Sequence, residues 1–300
     1  MRLLALAIAV LFAVAVPAAR AGGSQAELAV SGASVFVAGD AGLRQLDAST
    51  GRVLWAPLPT EARYELSLTV AGGALWVASI ANGYVDGRLT RIDLHTHAER
   101  IVLRVPQGSV LEVDSGGGYV YALVGRRSGN RLVRFTAAGR PAGAWNVADG
   151  GRMVADASGC WVSADGRLLH VDGRGRERVA ARVPFGDVAA GAGAVWIGLR
   201  DSLVRVDERT GAVRRTRTGP LDLGGFQHDV AVGGGFLWTV GTGALERRDL
   251  ATGRLLAAVL LPRIAHSVAV TPTAVWVATT QGVRRLDPRT LQTTLRVGIV

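Results

Sequence analysis

The sequence predicts an all-β protein, a seven-bladed β-propeller built from four-stranded antiparallel blades. An aromatic residue recurs about every 40 residues, which is the period of a propeller blade. The aromatic positions are Phe36, Trp76, Tyr121, Trp161, Trp196, Trp238 and Trp276. An aspartate recurs in a second register, after a later strand-like run. Its positions are Asp47, Asp93, Asp172, Asp207, Asp249 and Asp287, with Thr136 in the third place of the series.

Each unit contains four short apolar runs, and the sixth shows them well at 230–232, 236–240, 244–248 and 254–259. Runs of β-branched and aromatic residues divided by Gly, Asp and Thr indicate strands joined by hairpin turns. One such sheet cannot cover both of its faces, so the units are expected to stack around an axis. Trp196, Trp238 and Trp276 are expected to pack between the blades.

The third strand of a unit repeats the pattern apolar-x-Arg-x-Asp, as in Leu245, Arg247 and Asp249. Alternate residues of a strand share one face, so the arginine is expected to lie over the neighbouring blade. His170 occupies the same position and is interpreted as a blade residue. The aspartate is expected to accept amide hydrogens in the turn that follows, where a Gly supplies positive φ.

The amino terminus has the layout of a secretory signal peptide. Arg2 precedes an apolar run over 3–16, and Ala19-Arg20-Ala21 offers a cleavage site before Gly22. The apolar run is shorter than the roughly 18 residues expected of a membrane span. The sequence therefore predicts a signal peptide over 1–21 and a single propeller domain over 22–300, secreted or periplasmic, with no transmembrane span after cleavage.

Composition narrows the classes of function. All 34 basic residues are arginine, and the formal net charge is +10. The arginines are dispersed, in pairs such as Arg126-Arg127, whereas a nucleic-acid surface would be denser and interleaved with exposed aromatics. We therefore expect no nucleic-acid partner. Cys160 is the only cysteine, beside Trp161 on a predicted strand, and is interpreted as a buried, inert thiol.

The turns carry a family resemblance. The stretch from Leu46 to Trp55 resembles the repeats of quinoprotein-like propellers, and the phrase from Val232 to Trp238 is similar to that of YVTN-type exported propellers. The resemblance covers the whole mature chain and implies the propeller fold. Propellers of this kind include enzymes, ligand binders and scaffolds, so it implies no single activity.

Aligning the blades on the aromatic predicts a ring of residues on the innermost strands, which line the channel of a propeller. The predicted ring is Glu27, Ser67, Val110, Arg152, Asp187, Asp229 and Ser267. Two histidines, His228 and His266, precede it in adjacent blades. Two imidazoles near Asp229 and Asp187 could bind a divalent metal or act as acid and base, or could simply form a polar rim.

The remaining motifs do not identify a cofactor. Exported seven-bladed lyases that open cyclic peptide antibiotics resemble this layout, but the glutamates that commonly follow their second-strand aromatic are missing here. Quinone-dependent enzymes usually have eight blades. His95 and His97 lie in a turn and are interpreted as solvated. The hairpin over 79–88 is the main insertion, a feature that often carries recognition.

These observations favour an exported, monomeric, non-catalytic binding or interaction protein of the cell envelope or extracellular space. Its ligand would be a small molecule, a peptide or an envelope protein. The predicted ligand-binding residues are His228, His266, Asp229, Asp187 and Arg152. The alternative is a lyase or hydrolase that acts at the channel mouth through His228 and His266, with or without a metal. A third, weaker possibility is an envelope protein that holds anionic polymers through its arginines.

Overall fold

The fold is a ring of seven four-stranded antiparallel sheets, which confirms the predicted seven-bladed β-propeller. The computed structural model describes residues 26–39, 42–56, 63–81, 86–148, 151–218, 227–241, 243–262 and 264–298. The predicted signal peptide over 1–21 lies outside these ranges. None of the described residues forms a helix, so the described part holds no helix able to cross a membrane.

The strands follow one another in sequence order within every blade. Blades 1 to 3 comprise β1 (Ala26–Ser31), β2 (Ser34–Gly39), β3 (Gly42–Asp47) and β4 (Val53–Trp55); β5 (Arg63–Ala71), β6 (Ala74–Ala81), β7 (Asp86–Asp93) and β8 (Glu99–Pro106); β9 (Gly108–Gly116), β10 (Tyr119–Arg126), β11 (Asn130–Thr136) and β12 (Pro141–Val147). Blades 4 and 5 comprise β13 (Arg152–Asp156), β14 (Gly159–Ala164), β15 (Arg167–Asp172) and β16 (Glu177–Arg182); β17 (Asp187–Gly191), β18 (Ala194–Gly198), β19 (Ser202–Asp207) and β20 (Val213–Arg217). Blades 6 and 7 comprise β21 (Gln227–Gly233), β22 (Phe236–Gly241), β23 (Ala244–Asp249) and β24 (Leu255–Leu260); β25 (Ala265–Thr271), β26 (Ala274–Thr279), β27 (Gly282–Leu286) and β28 (Thr293–Gly298).

The ring closes by side-chain packing between blades 1 and 7, because each of these blades is built from its own four consecutive strands. The inner strands β1 and β25 are in contact. Leu28, Val35 and Leu46 of blade 1 share one buried cluster with Trp276 and Val283 of blade 7. Closure therefore depends on burying apolar surface and involves no exchanged strand.

The repeated aromatics fill the space between blades, as predicted. Trp196 and Trp238 are fully buried, and Trp276 is 1% exposed. The ring of Trp196 in blade 5 lies under the turn of blade 6, where a Cβ on Gly253 would come within 3.0 Å of it. Gly253 also has a φ of +72°, so both the backbone and the neighbouring ring favour glycine there.

Three of the third-strand arginines, Arg91, Arg134 and Arg247, hydrogen-bond to the neighbouring blade, as the strand period predicted. The guanidinium of Arg247 in blade 6 donates to the carbonyl oxygens of Pro288 and Arg289 in blade 7, at 2.7 and 2.8 Å. Arg134 in blade 3 likewise donates to the carbonyl of Gly173 in blade 4, at 2.9 Å. Each arginine thus satisfies main-chain acceptors that the neighbouring turn leaves unpaired.

The aspartate turns have the predicted structure. The Oδ1 of Asp47 accepts the amides of Ser49 and Thr50 at 2.9 and 2.8 Å, and the equivalent oxygen of Asp249 accepts that of Thr252 at 2.8 Å. Hydrogen bonds to the charged form lower the pKa of Asp47 and Asp249. His97, predicted to be solvated, is half-buried, and its ring stacks on Trp55 of blade 1 with the ring centroids 4.7 Å apart.

The two faces of the ring differ in what they carry. We call one the crossover face: there the chain passes from the outer strand of one blade to the inner strand of the next, and there the second strand turns into the third. The opposite side, the turn face, holds the aspartate turns and the hairpins between first and second strands. All six aspartates of the turn series lie on the turn face.

Candidate functional site

A ring of polar side chains lines the inner strands at one level of the channel. Strand register defines it, because each member pairs with the residue two positions beyond the repeated aromatic on the second strand. The members are Glu27, Ser67, Glu112, Arg152, Asp187, Asp229 and Ser267. Four are carboxylates and one is a guanidinium, which is an unusual set for the centre of a small protein.

The register corrects the sequence alignment in blade 3. Val110 was predicted to be the ring member, but Val110 pairs with Val124, and Glu112 pairs with Leu123. The extra residue is a bulge at Leu111, before the ring position, and not between the ring and the aromatic. In the other blades the ring residue lies nine positions before the repeated aromatic, as Asp229 does before Trp238. Glu112 lies nine positions before Tyr121, so this spacing was the sequence signal that identifies Glu112 as the ring residue.

An ion triad spans three neighbouring blades. The guanidinium of Arg152 lies 3.1 Å from the Oε1 of Glu112 and 3.0 Å from the Oδ1 of Asp187. The side chain of Arg152 is 25% exposed, whereas that of Glu112 is 2% exposed. Burial raises the pKa of Glu112 to about 7 and that of Asp187 to about 6, against the opposing effect of Arg152.

The ring side chains also bond to the main chain of the next blade. The Oε2 of Glu112 accepts the amide of Met153 at 2.6 Å, and the Oδ2 of Asp229 accepts that of Val268 at 2.8 Å. The amide of Val113 donates to the Oγ of Ser67 at 2.9 Å. Inner strands of neighbouring blades belong to separate sheets, so these bonds satisfy amides that no strand partner reaches.

Asp229 is the most buried of the predicted site residues whose side chains the structure describes. It is fully buried, and its Oδ1 accepts the amide of Val230 at 2.8 Å. Burial raises the pKa of Asp229 well above its usual range, although the two amide donors oppose the shift. Main-chain amides therefore occupy both oxygens of this carboxylate, one amide from its own strand and one from blade 7.

The two histidines lie at equivalent bulges. His228 falls between Gln227 and Asp229 where the register of β21 shifts, and His266 falls between Ala265 and Ser267 where that of β25 shifts. The side chain of His266 is half-buried, and that of His228 lies outside the described part of the chain. From the repeat alignment we expect the two imidazoles to converge near the channel mouth, within about 12 Å, a figure taken from the spacing of packed sheets.

Two other candidate residues, Cys160 and His170, are packed within the blades. Cys160 is fully buried, and burial raises the pKa of its thiol well above the usual range, as expected of an inert cysteine. His170 stacks on Trp161 with the ring centroids 4.0 Å apart, and burial lowers its pKa. Among the described residues, no group of three or more His, Cys, Asp or Glu side chains is arranged to hold a metal ion.

Comparisons with known proteins agree with this architecture. No protein-family profile matches the chain. A comparison with curated proteins found no match. The fold is similar to that of U3-55K, with a TM-score of 0.68, 13% identity, and coverage of 93% of this chain and 94% of that one. It is also similar to BamB from Moraxella catarrhalis, with a TM-score of 0.57, 15% identity, and coverage of 86% and 82%.

A third similar structure is the dihydro-heme d1 dehydrogenase NirN in complex with DHE. Its TM-score is 0.58 at 14% identity, and the match covers 93% of this chain and 66% of that one. At such low identities a structural likeness establishes the fold alone. The predicted resemblance to quinoprotein-like and other propellers is thus confirmed at the level of the fold: the chain is a seven-bladed β-propeller.

Proposed function

We propose that the chain is an exported, non-catalytic binding protein of the cell envelope or extracellular space, which holds a partner protein on its crossover face. The proposal keeps the predicted division into a signal peptide over 1–21 and a propeller over 22–300. The observation that carries it is the chemistry of that face, where exposed apolar side chains stand among arginines.

Phe185 and Ile264 lie on the crossings into blades 5 and 7 and are 49% and 42% exposed. Large exposed apolar side chains within a polar rim are typical of protein-binding surfaces. Aromatic and arginine side chains are also the types that most often dominate the energy of such interfaces. A partner that covered Phe185 would bury both kinds at once.

The charge of the crossover face supports a partner with acidic groups. Its exposed arginines in blades 3 to 5 are Arg126, Arg127, Arg167, Arg182, Arg200 and Arg217. The exposed acids described on this face of the same blades are Asp165 and Asp201, and Asp201 pairs with Arg215 at 3.1 Å. The repeat places its aspartates on the turn face, which leaves the described part of the crossover face in blades 3 to 5 basic. This arrangement favours association with an acidic surface.

Support for binding over the alternative lyase or hydrolase comes from the ring. Glu112 and Asp187 have pKa values suited to acid–base chemistry, but both pair with Arg152. Asp229 is held by two main-chain amides. A general acid or base needs an oxygen that can reach a substrate proton, and these carboxylates instead connect the blades.

A site-specific crosslinking experiment tests the proposal. A photoreactive residue in place of Phe185 should yield a discrete adduct in the source cells, and the same residue in place of Ala33, exposed on the turn face, should not. Arg182→Glu should weaken the Phe185 adduct, whereas Arg182→Lys should preserve it. Equal adducts from both faces, or a substrate turnover abolished by His266→Ala, would contradict the proposal.

Export is tested separately. The chain recovered from the medium or periplasm should begin at or near Gly22, because small residues precede the proposed cut. Amino-terminal sequencing measures this directly. A membrane-bound product that still begins at Met1 would rule out the predicted cleavage.

A further inference from the structure

The outer edge of blade 6 differs from the other outer edges of the ring. Its outer strand β24 reads Leu255-Leu256-Ala257-Ala258-Val259-Leu260, without a charge, proline or glycine. The other outer strands are short, as β4 is, or carry charged residues or proline, as the sequences of β8, β12, β16, β20 and β28 show. Charges and prolines on an edge strand prevent pairing with other chains, and β24 has neither.

A groove of about 580 Å³ runs beside this edge, between blades 6 and 7. Ala257 and Val259 of β24 line one wall, and Arg289, Gln292 and Arg296 of blade 7 line the other. The described residues that line the groove include two arginines and no carboxylate. Hence the groove combines an unprotected strand edge with a positively charged wall.

On this wall, Asp287 attracts Arg289, but the charge of Arg296 is not neutralised by a carboxylate within the described ranges. Arg296 on β28 lies directly opposite Arg284 on β27, and like charges in such a pair repel each other. Burial and the neighbouring Arg296 lower the pKa of Arg284. Neither arginine forms an ion pair with a described carboxylate. An acidic group entering the groove would relieve this repulsion.

A strand paired with the edge of β24 would need different side chains on its two faces, because the two faces of β24 differ. Exposure alternates along β24, and Leu256 and Leu260, at 40% and 69% exposed, point away from the side that carries Ala257 and Val259. Successive side chains of an added strand would also alternate. One set would contact Leu256 and Leu260, and the other would face Arg296 across the groove.

We propose that β24 pairs edge to edge with an extended segment of a partner polypeptide in which apolar and acidic residues alternate. The main chain of the segment would bond to the edge of β24, which provides affinity, and the alternating side chains would provide selectivity. This site is distinct from the crossover face and uses different residues, so either site can fail experimentally without the other.

The probe is a capped synthetic peptide in which valine and glutamate alternate over about eight residues, a usual length for a strand. Fluorescence anisotropy with the purified chain should show saturable binding. A matched peptide of valine and lysine should bind at least about tenfold more weakly, because it places like charges against Arg289 and Arg296. Hydrogen exchange should show added protection of the amides of 255–260 in the complex.

Charge variants locate the site. Arg296→Glu should weaken binding of the glutamate peptide about tenfold or more, and Arg296→Lys should keep it within about threefold. Arg214→Glu, on the exposed outer strand of blade 5, is the matched control for the change in net charge and should have no effect. Thermal unfolding of each variant verifies that the ring is intact.

Three outcomes would overturn the proposal. The first is equal binding of the glutamate and lysine peptides. The second is an equal loss of binding in Arg214→Glu and Arg296→Glu, which would indicate attraction to the overall charge alone. The third is self-association of the chain in sedimentation experiments that Leu260→Glu abolishes, which would assign the β24 edge to a second copy of this chain.

Discussion

At the scale of single residues, the channel ring shows how buried charge is used in this protein. Glu112 and Asp187 are the two acids of the triad around Arg152, and Glu112 also accepts the amide of Met153. Removing one partner of a buried pair leaves the other uncompensated, which generally costs more than the pair contributes. The ring is thus a connection between blades that also carries carboxyl groups with raised pKa values.

The triad predicts a pH dependence of stability. A carboxyl whose pKa is raised in the folded state stabilises the fold fully below its unfolded pKa, and this contribution is lost as pH rises through the folded value. For Glu112 the window runs from 4.5 to about 7. We expect the free energy of unfolding to fall by about 1–3 kcal/mol across this window.

Chemical unfolding measured between pH 4.5 and 8 checks this dependence. Glu112→Gln should reduce the slope, and Glu177→Gln, at an exposed position on β16, should leave it unchanged. A free energy of unfolding that stays level with pH across the window would contradict the raised pKa of Glu112 and indicate that Arg152 keeps this carboxyl ionised.

The buried tryptophans give a second prediction at this scale. Trp238 is fully buried, and its indole N–H donates to the carbonyl of Gly233 at 3.0 Å. Trp238→Ala should lower the free energy of unfolding by about 3–5 kcal/mol through lost burial and a cavity. Val213→Ala, at a position 50% exposed, is the control and should change it by less than about 0.5 kcal/mol. A loss under about 1 kcal/mol for Trp238→Ala would contradict the inter-blade packing.

At the scale of elements, the third strand and the following turn form the unit that joins one blade to the next. The strand presents an arginine, and the turn of the neighbouring blade presents the carbonyls that accept its protons, as Arg134 and Gly173 show. The aspartate that opens the turn in six of the blades accepts main-chain amides and so stabilises the turn. The repeated sequence thus forms the same contact between blades at Arg91, Arg134 and Arg247.

Arg247 tests this contact. Arg247→Ala removes two charge-assisted hydrogen bonds to blade 7 and a contact with the Phe236 ring at 4.9 Å, so we expect a loss of about 1–3 kcal/mol in the free energy of unfolding. Arg247→Lys should recover only part of it, because an ammonium group cannot reproduce the planar fork. Denaturant unfolding measures both. Arg254→Ala, at an exposed position in the same blade, should be nearly neutral.

At the scale of the whole molecule, closure makes the blades interdependent. Side chains such as Leu28 and Trp276 pack between blades 1 and 7, and no strand is exchanged between the two described sheets. An open ring would expose these clusters to water, and apolar surface of that size promotes aggregation.

A truncated chain checks this dependence. A chain that ends before β25, and so lacks blade 7, should lose its cooperative unfolding transition and aggregate, whereas the full chain should unfold in one transition. Circular dichroism on heating and size-exclusion chromatography measure the two properties. A soluble truncated chain that unfolds cooperatively would show that six blades are sufficient.

Much of this molecule could be predicted from local patterns. The period of the aromatics, the four runs per unit and the aspartate turns are properties of neighbouring residues, and they determined the number of blades, the packing of Trp238 and the direction of Arg247. The ring position was predicted correctly in six blades, and in blade 3 a bulge at Leu111 moved it from Val110 to Glu112. Local sequence patterns are sufficient to predict the role of a residue where that role is the same in every blade.

Only the tertiary structure decided which side chains act together across blades. Arg152 lies far in sequence from Glu112 and Asp187, and nothing in the local phrase indicates that one guanidinium serves both. The commitment of Asp229 to the amide of Val268, and the alignment of Arg296 beside the bare edge of β24, likewise depend on how neighbouring sheets are placed. The sequence by itself determined the repeating blade, because strand and turn formation are local. The closed ring determined the contacts between blades, because burial and charge pairing depend on distance in space.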